Sequence, residues 1–172
     1  MEKITDDVIR KTIESTIIET FDAMMSMTLE SIDDSDGVDL EDEKSMVGAI
    51  HFGGEVVGVM SFRLTEAFAR ATTAAMLGIQ AEEIKSIEEI YDVIGELANI
   101  VAGNLKTEFL DVGLTCVIST PSITSGSDFK IDPVDIAPPV KFSFRRQEDV
   151  VRVELCAREE IGAKEDIMSD LS

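Results

Sequence analysis

The chain reads as an α+β domain in which an antiparallel or mixed sheet carries long helices packed on it. Three observations predict this. Residues 3–30 and 87–110 place apolar residues at three- and four-residue spacing, as long helices do. Residues 46–64 and 140–157 alternate apolar and polar residues about a central turn, as hairpins do. The coarse order, αββαα and then three strands, sets hairpins between helix pairs.

The first helix, over 3–30, carries Ile4, Val8, Ile13, Ile17, Phe21, Met24, Met25 and Leu29 toward the core. Residues 33–43, Asp-Asp-Ser-Asp-Gly-Val-Asp-Leu-Glu-Asp-Glu, follow as an acidic connector. Asp34, Asp36, Gly37 and Glu43 fall at calcium-loop spacing, but Ile32 and Asp39 stand where such a loop needs an acid and an apolar residue. A solvated loop is the reading adopted. Residues 46–64 form a hairpin turning at Gly53–Gly54, with His51 on a strand surface. Thr65 has the chemistry of an N-cap and Gly78 that of a C-terminal stop, bounding a short Ala-rich helix. The second long helix runs from about Ile87 to Leu110. Leu114–Ser119 is one further strand, broken by Pro121 and the Ser/Gly stretch 122–128. Val140–Arg146 and Val150–Ala157 make a last hairpin. Residues 158–172 form a polar tail or frayed helix. The two hairpin-bearing halves point to a duplicated unit.

The 172 residues, 44% of them apolar, fit one domain, 1–172, with a core of its own. Aromatics are scarce, there is no Trp, and eight Met help to fill the core. Fifteen basic residues stand against 35 acidic ones, a net charge of −20. Such a chain repels phosphate backbones and anionic lipid, so neither nucleic acid nor membrane is an expected partner. Cys116 and Cys156 lie in apolar-alternating stretches and read as buried small hydrophobes. With a charged start at Glu2 and Lys3 and no long apolar run, a cytoplasmic protein is expected.

Function is carried by the second long helix. On a wheel of about 100° per residue, Asp92, Gly95, Glu96, Asn99, Gly103 and Lys106 lie within about 60° of one line. Ile90, Ile94, Leu97, Val101 and Leu105 lie opposite. Each glycine in a helix interior costs about 1 kcal/mol relative to Ala. Asn99 is also a poor mid-helix residue, because its amide competes for backbone hydrogen bonds. From periodicity alone, a solvated face with its glycines packed on a neighbouring helix is the simpler explanation. The other explanation is a surface shaped for close approach, with Gly95 and Gly103 clearing space on either side of Asn99. Glu96 and Asn99, three apart, emerge as neighbours. A carboxylate can grip a cationic group, and an amide can donate to and accept from one water, fixing its direction. In-line positioning of water is most of what phosphoryl hydrolysis asks of a protein. The helix has no second carboxylate or histidine for a metal, so metal would arrive with the substrate.

The segment Asp92-Val-Ile-Gly-Glu-Leu-Ala-Asn-Ile-Val-Ala-Gly-Asn-Leu-Lys106 resembles the signature helix of the CheC/CheX/FliY chemotaxis phosphatases. Their hallmark Glu-x-x-Asn stands here as Glu96-Leu97-Ala98-Asn99. Ser119-Thr120-Pro121 after a strand, and the presence of one such helix rather than two, are similar to the CheX branch. The resemblance implies a hydrolase that removes the aspartyl phosphate of a CheY-like response regulator in two-component chemotaxis signalling. Asn99 would orient the attacking water, and Glu96 would contact a regulator lysine. Asp92, Gly95, Gly103 and Lys106 would contact the partner. Magnesium would belong to the regulator, with no cofactor or metal on this chain. Members of the branch are homodimers joined through their sheets. Two other readings stand beside this one. One is a non-catalytic module that binds a regulator or a flagellar switch component. The other is a structural dimer domain whose polar stripe is only surface.

Overall fold

The structure, a computed structural model, describes residues 3–33, 40, 43–127 and 136–160. Helix α1 spans Asp6–Met25. Thr5 caps it by accepting the Val8 N–H, with Asp6 and Asp7 complementing the helix dipole in the first turn. It ends earlier than its apolar spacing predicts. Ser26 adopts a left-handed conformation (φ 53°), and the Met27 N–H turns back to the Phe21 carbonyl. Leu29 is buried all the same, just ahead of a strand, whereas Val8 and Met24 face solvent.

Among the described residues, seven strands form one antiparallel sheet: β1 (Glu30–Ile32), β2 (Ser45–Gly54), β3 (Val56–Thr65), β4 (Cys116–Ile118), β5 (Ser122–Gly126), β6 (Val140–Arg146) and β7 (Asp149–Glu159). The order is β1-β6-β7-β3-β2-β4, with β5 continuing the β4 edge along β2. Both predicted hairpins are present. The first turns one residue later than expected, about Glu55, and Gly53 stays in the ladder opposite Val117. Gly54 supplies the positive φ, 120°, that the turn requires. The stretch expected to break the chain after Pro121 is strand β5, and the three-residue β1 has no counterpart in the predicted order.

Helix α2 (Glu66–Leu77) starts at a Thr65 cap and stops at Gly78 (φ 68°), as the residues predict. Helix α3 (Ile87–Asp111) is the longest, about 37 Å at the usual rise per residue. The three described α-helices lie on one face of the sheet. Along β2, Met46, Ile50 and Phe52 point to the helices; along β3, Val56, Met60, Phe62 and Leu64 do so; along β7, Val151, Val153 and Leu155 do so. Phe21 meets Phe68 at 6.0 Å, and Phe52 meets Phe109 edge-on at 5.7 Å, tying α1 to α2 and α3 to the sheet. Cys116 and Cys156 are free and buried, and burial pushes both thiols up.

The duplicated plan is visible in the topology. Helix α1, edge strand β1 and hairpin β2–β3 repeat as α3, edge strands β4 and β5, and hairpin β6–β7. Each unit gives its edge strand to the other's hairpin: β1 pairs with β6, while β4 and β5 pair with β2. Strands β3 and β7 meet antiparallel at the centre. Between the helices, the Asn104 amide donates to the Thr16 hydroxyl at 3.0 Å.

Most of the acidic connector, and the tail beyond residue 160, lie outside the described residues. The calcium-loop comparison therefore falls mainly outside them too. Leu40, within the connector, departs from the solvated-loop expectation. It is buried, and its carbonyl accepts from the Arg63 guanidinium. By strand alternation Arg63 faces away from the helices, so the connector touches the far face of the sheet. Arg158 and Glu159 belong to β7 rather than to a tail.

Candidate functional site

Helix α3 presents two faces, as its spacing predicts. Ile90, Ile94, Leu97, Val101 and Leu105 are each 2% exposed or less. Asp92 and Glu96 are exposed, while Asn99, Gly103 and Lys106 are half-buried. The helix is fixed from below. Gly48 of β2 lets Ala98 approach: a Cβ on Gly48 would lie 3.4 Å from that of Ala98. At its far end the Leu114 N–H donates to the Phe109 carbonyl, through Gly113 at φ 81°. The Glu55 carboxylate then holds Thr115 by its N–H at 2.8 Å and its hydroxyl at 2.6 Å. The polar stripe is thus displayed on a helix braced at both its underside and its end.

The two glycines of the stripe have different surroundings. A Cβ on Gly95 would lie 3.2 Å from Pro121 Cγ, so the space there is taken up inside the protein. That corrects the expectation that both glycines leave room for a partner. A Cβ on Gly103 would meet nothing within 4 Å. Of these two glycines, only Gly103 leaves the helix backbone uncovered by the described residues.

Glu96 and Asn99 make no side-chain hydrogen bond or ion pair with any described residue, and neither does Asp92. Their polar atoms are available to something outside. The Lys106 ammonium offsets part of the rise that burial gives the Cys116 thiol. Neighbouring Asn104 is committed to Thr16, and the Thr107 hydroxyl to the Gly103 carbonyl. Among the described residues, no group of three or more His, Cys, Asp or Glu is placed to hold a metal ion. No helix of the described residues is long and apolar enough to cross a membrane.

A family model described as "Chemotaxis phosphatase CheX" matches residues 46–145, a span from β2 to β6 that contains all of α3. The chain belongs to the CheX family. The CheY-P phosphatase CheX of Thermotoga maritima is 28% identical over 111 residues, covering 64% of this chain and 70% of the relative. The solved CheX of Vibrio vulnificus shares the fold with a TM-score of 0.72 at 22% identity, covering 87% of this chain and 96% of the other. The CheX of the CheX–CheY–BeF3–Mg2+ complex from Borrelia burgdorferi shares it with a TM-score of 0.67 at 15% identity, over 87% and 97% of the two chains. The family expected from the sequence is thereby upheld, as is the α+β sheet-and-helix architecture. Sequence reasoning missed the seat of Pro121 on Gly95. The residues are 26 positions apart in sequence, and no local pattern joins them.

Proposed function

We propose that this CheX-family chain is a protein aspartyl-phosphate phosphatase that dephosphorylates a CheY-like response regulator. The observation that carries the reading is the pair Glu96 and Asn99, displayed on a braced helix with polar atoms that no described residue engages. The relative from Thermotoga maritima is named for this activity, and that from Borrelia burgdorferi was solved with CheY.

In this reading α3 enters the regulator's active site. Asn99 donates to and accepts from one water and aims it at phosphorus, opposite the leaving carboxylate of the regulator. Glu96 accepts from a cationic group of the regulator, which docks the helix and sets its register. Gly103 allows the regulator's surface to approach the helix backbone, with Asp92 and Lys106 at the margins of the contact. Magnesium would be held by the regulator, where it would supply charge neutralisation at the phosphoryl oxygens. No covalent intermediate forms on this chain, and the work takes place in the cytoplasm. Two copies join through their sheets, whose edges are β1 on one side and β4 with β5 on the other.

The test is phosphate release from a phosphorylated CheY-like regulator in the presence of this protein, with binding measured in parallel. Faster release supports the phosphatase. Binding without faster release makes the chain a docking module, and absence of binding makes the stripe a plain surface.

A further inference from the structure

Asn99 is half-buried, yet its amide has no hydrogen-bond partner among the described residues. No bond to a described residue fixes its direction, which leaves that to packing around the side chain. A helical side chain leans toward the N-terminus, over the residue four positions earlier. For Asn99 that residue is Gly95, which has no side chain of its own, and the space above it is occupied by Pro121, with Cγ 3.2 Å from where a Cβ would stand.

Pro121 is itself held firmly. Its ring has no freely rotating bond. Just before it, the Ser119 N–H donates to the His51 carbonyl at 2.9 Å, and the His51 N–H donates back to Ser119 Oγ at 3.0 Å. The Ser119 hydroxyl closes the corner by donating to the Thr120 carbonyl. Just after it, Ile123 fits against Gly48 and Gly95, and Ser125 meets the Tyr91 hydroxyl at 2.9 Å. The corner is fastened to β2 on one side and to α3 on the other, one helical turn before Asn99.

We propose that Pro121 is a positioning residue: seated on Gly95, it forms a rigid wall that limits the rotamers of Asn99 and so aims the water-orienting amide. This rests on the phosphatase reading above. It also explains why Gly95 stands in a helix interior, since any side chain there would displace the wall.

A wall that aims Asn99 acts on the chemical step, whereas a residue that merely supports the fold acts on stability. With phosphorylated regulator as substrate, Pro121→Ala is expected to lower kcat about tenfold and to leave KM within about twofold. Pro121→Val, which restores bulk without the ring, is expected to recover most of the lost kcat. Ile17→Val, in the core of α1, serves as the stability control and is expected to lower Tm while leaving kcat and KM unchanged. An unchanged kcat in Pro121→Ala, a change in KM alone, or an equal loss of kcat in Ile17→Val would overturn the inference while the phosphatase reading stood. No acceleration by the wild-type protein would overturn both.

Discussion

Asn99 costs the helix something that its removal would return. An amide in mid-helix has poorer propensity than Ala, by up to about 0.7 kcal/mol, and it makes no bond to a described residue that would offset this. Asn99→Ala is therefore expected to abolish turnover while keeping or slightly raising Tm, as kinetics and a thermal melt on one preparation would show. Glu96 is exposed and equally without a partner among the described residues, so its loss leaves the fold alone. Glu96→Ala is expected to raise the Kd for the regulator about tenfold, the effect of losing about 1.4 kcal/mol of charge-assisted contact. A variant with unaltered affinity and rate would remove Glu96 from the site. Much at this scale was legible. The wheel separated Glu96 and Asn99 from Ile94 and Leu97 correctly, because a 3.6-residue period is enough to say which side faces water. The difference between Gly95 and Gly103 was not legible, because it depends on where Pro121 returns in space.

Helix α3 owes its placement to close approaches at glycine and its display to what those approaches leave uncovered. Gly103 is the informative position on it. A helix-interior glycine where an added Cβ would meet no described residue has no steric reason within the described chain to be glycine. Gly103→Ala should stabilise the chain by about 1 kcal/mol through helix propensity alone. It should also weaken regulator binding, because the methyl stands where the regulator approaches. Denaturant unfolding and a binding titration check the two signs separately. A stabilised variant with undiminished affinity would show that nothing comes close there. Among the elements, the long helices, the capped α2 and both hairpins were readable, since periodicity and caps are local signals. Strand β5 was not. Ser122, Thr124, Ser125 and Gly126 have the composition of a loop, but an edge strand needs only its backbone to pair, and Gly48 supplies the slot for its one large side chain, Ile123. The end of α1 was missed because Ser26, in a left-handed conformation, stops a helix whose apolar spacing runs on to Leu29.

At the scale of the molecule, the described strands form two repeated units that exchange edge strands across the central β3–β7 pair. Gly58 stands opposite Ala157 near one end of that pair. A Cβ there would stand 2.2 Å from the Cys156 carbonyl oxygen and 2.6 Å from Ala157 Cα. Backbone cannot yield as a side chain can, so Gly58→Ala is expected to destabilise the protein by about 1–3 kcal/mol, seen as a lower denaturation midpoint. An unchanged midpoint would mean that the two strands part more easily than their register implies. The open edges at β1 and at β4 with β5 fit the proposed homodimer, which light scattering would report directly as twice the chain mass. The charge of −20 was legible from the start, and it bears on steering and solubility more than on the fold. The exchange of edge strands was not legible, since strand order is a long-range property that hairpin patterns do not encode.

The central claim is that α3 brings Asn99 to a phosphorylated regulator and directs water at its phosphoryl group. Its most direct test is the rate of phosphate release from a phosphorylated CheY-like regulator, measured with the wild-type protein and with Asn99→Ala at matched concentrations. Release accelerated by the wild type and returned to the regulator's own rate by the variant is the predicted result. Acceleration that survives in the variant, or that never occurs with the wild type, would contradict it.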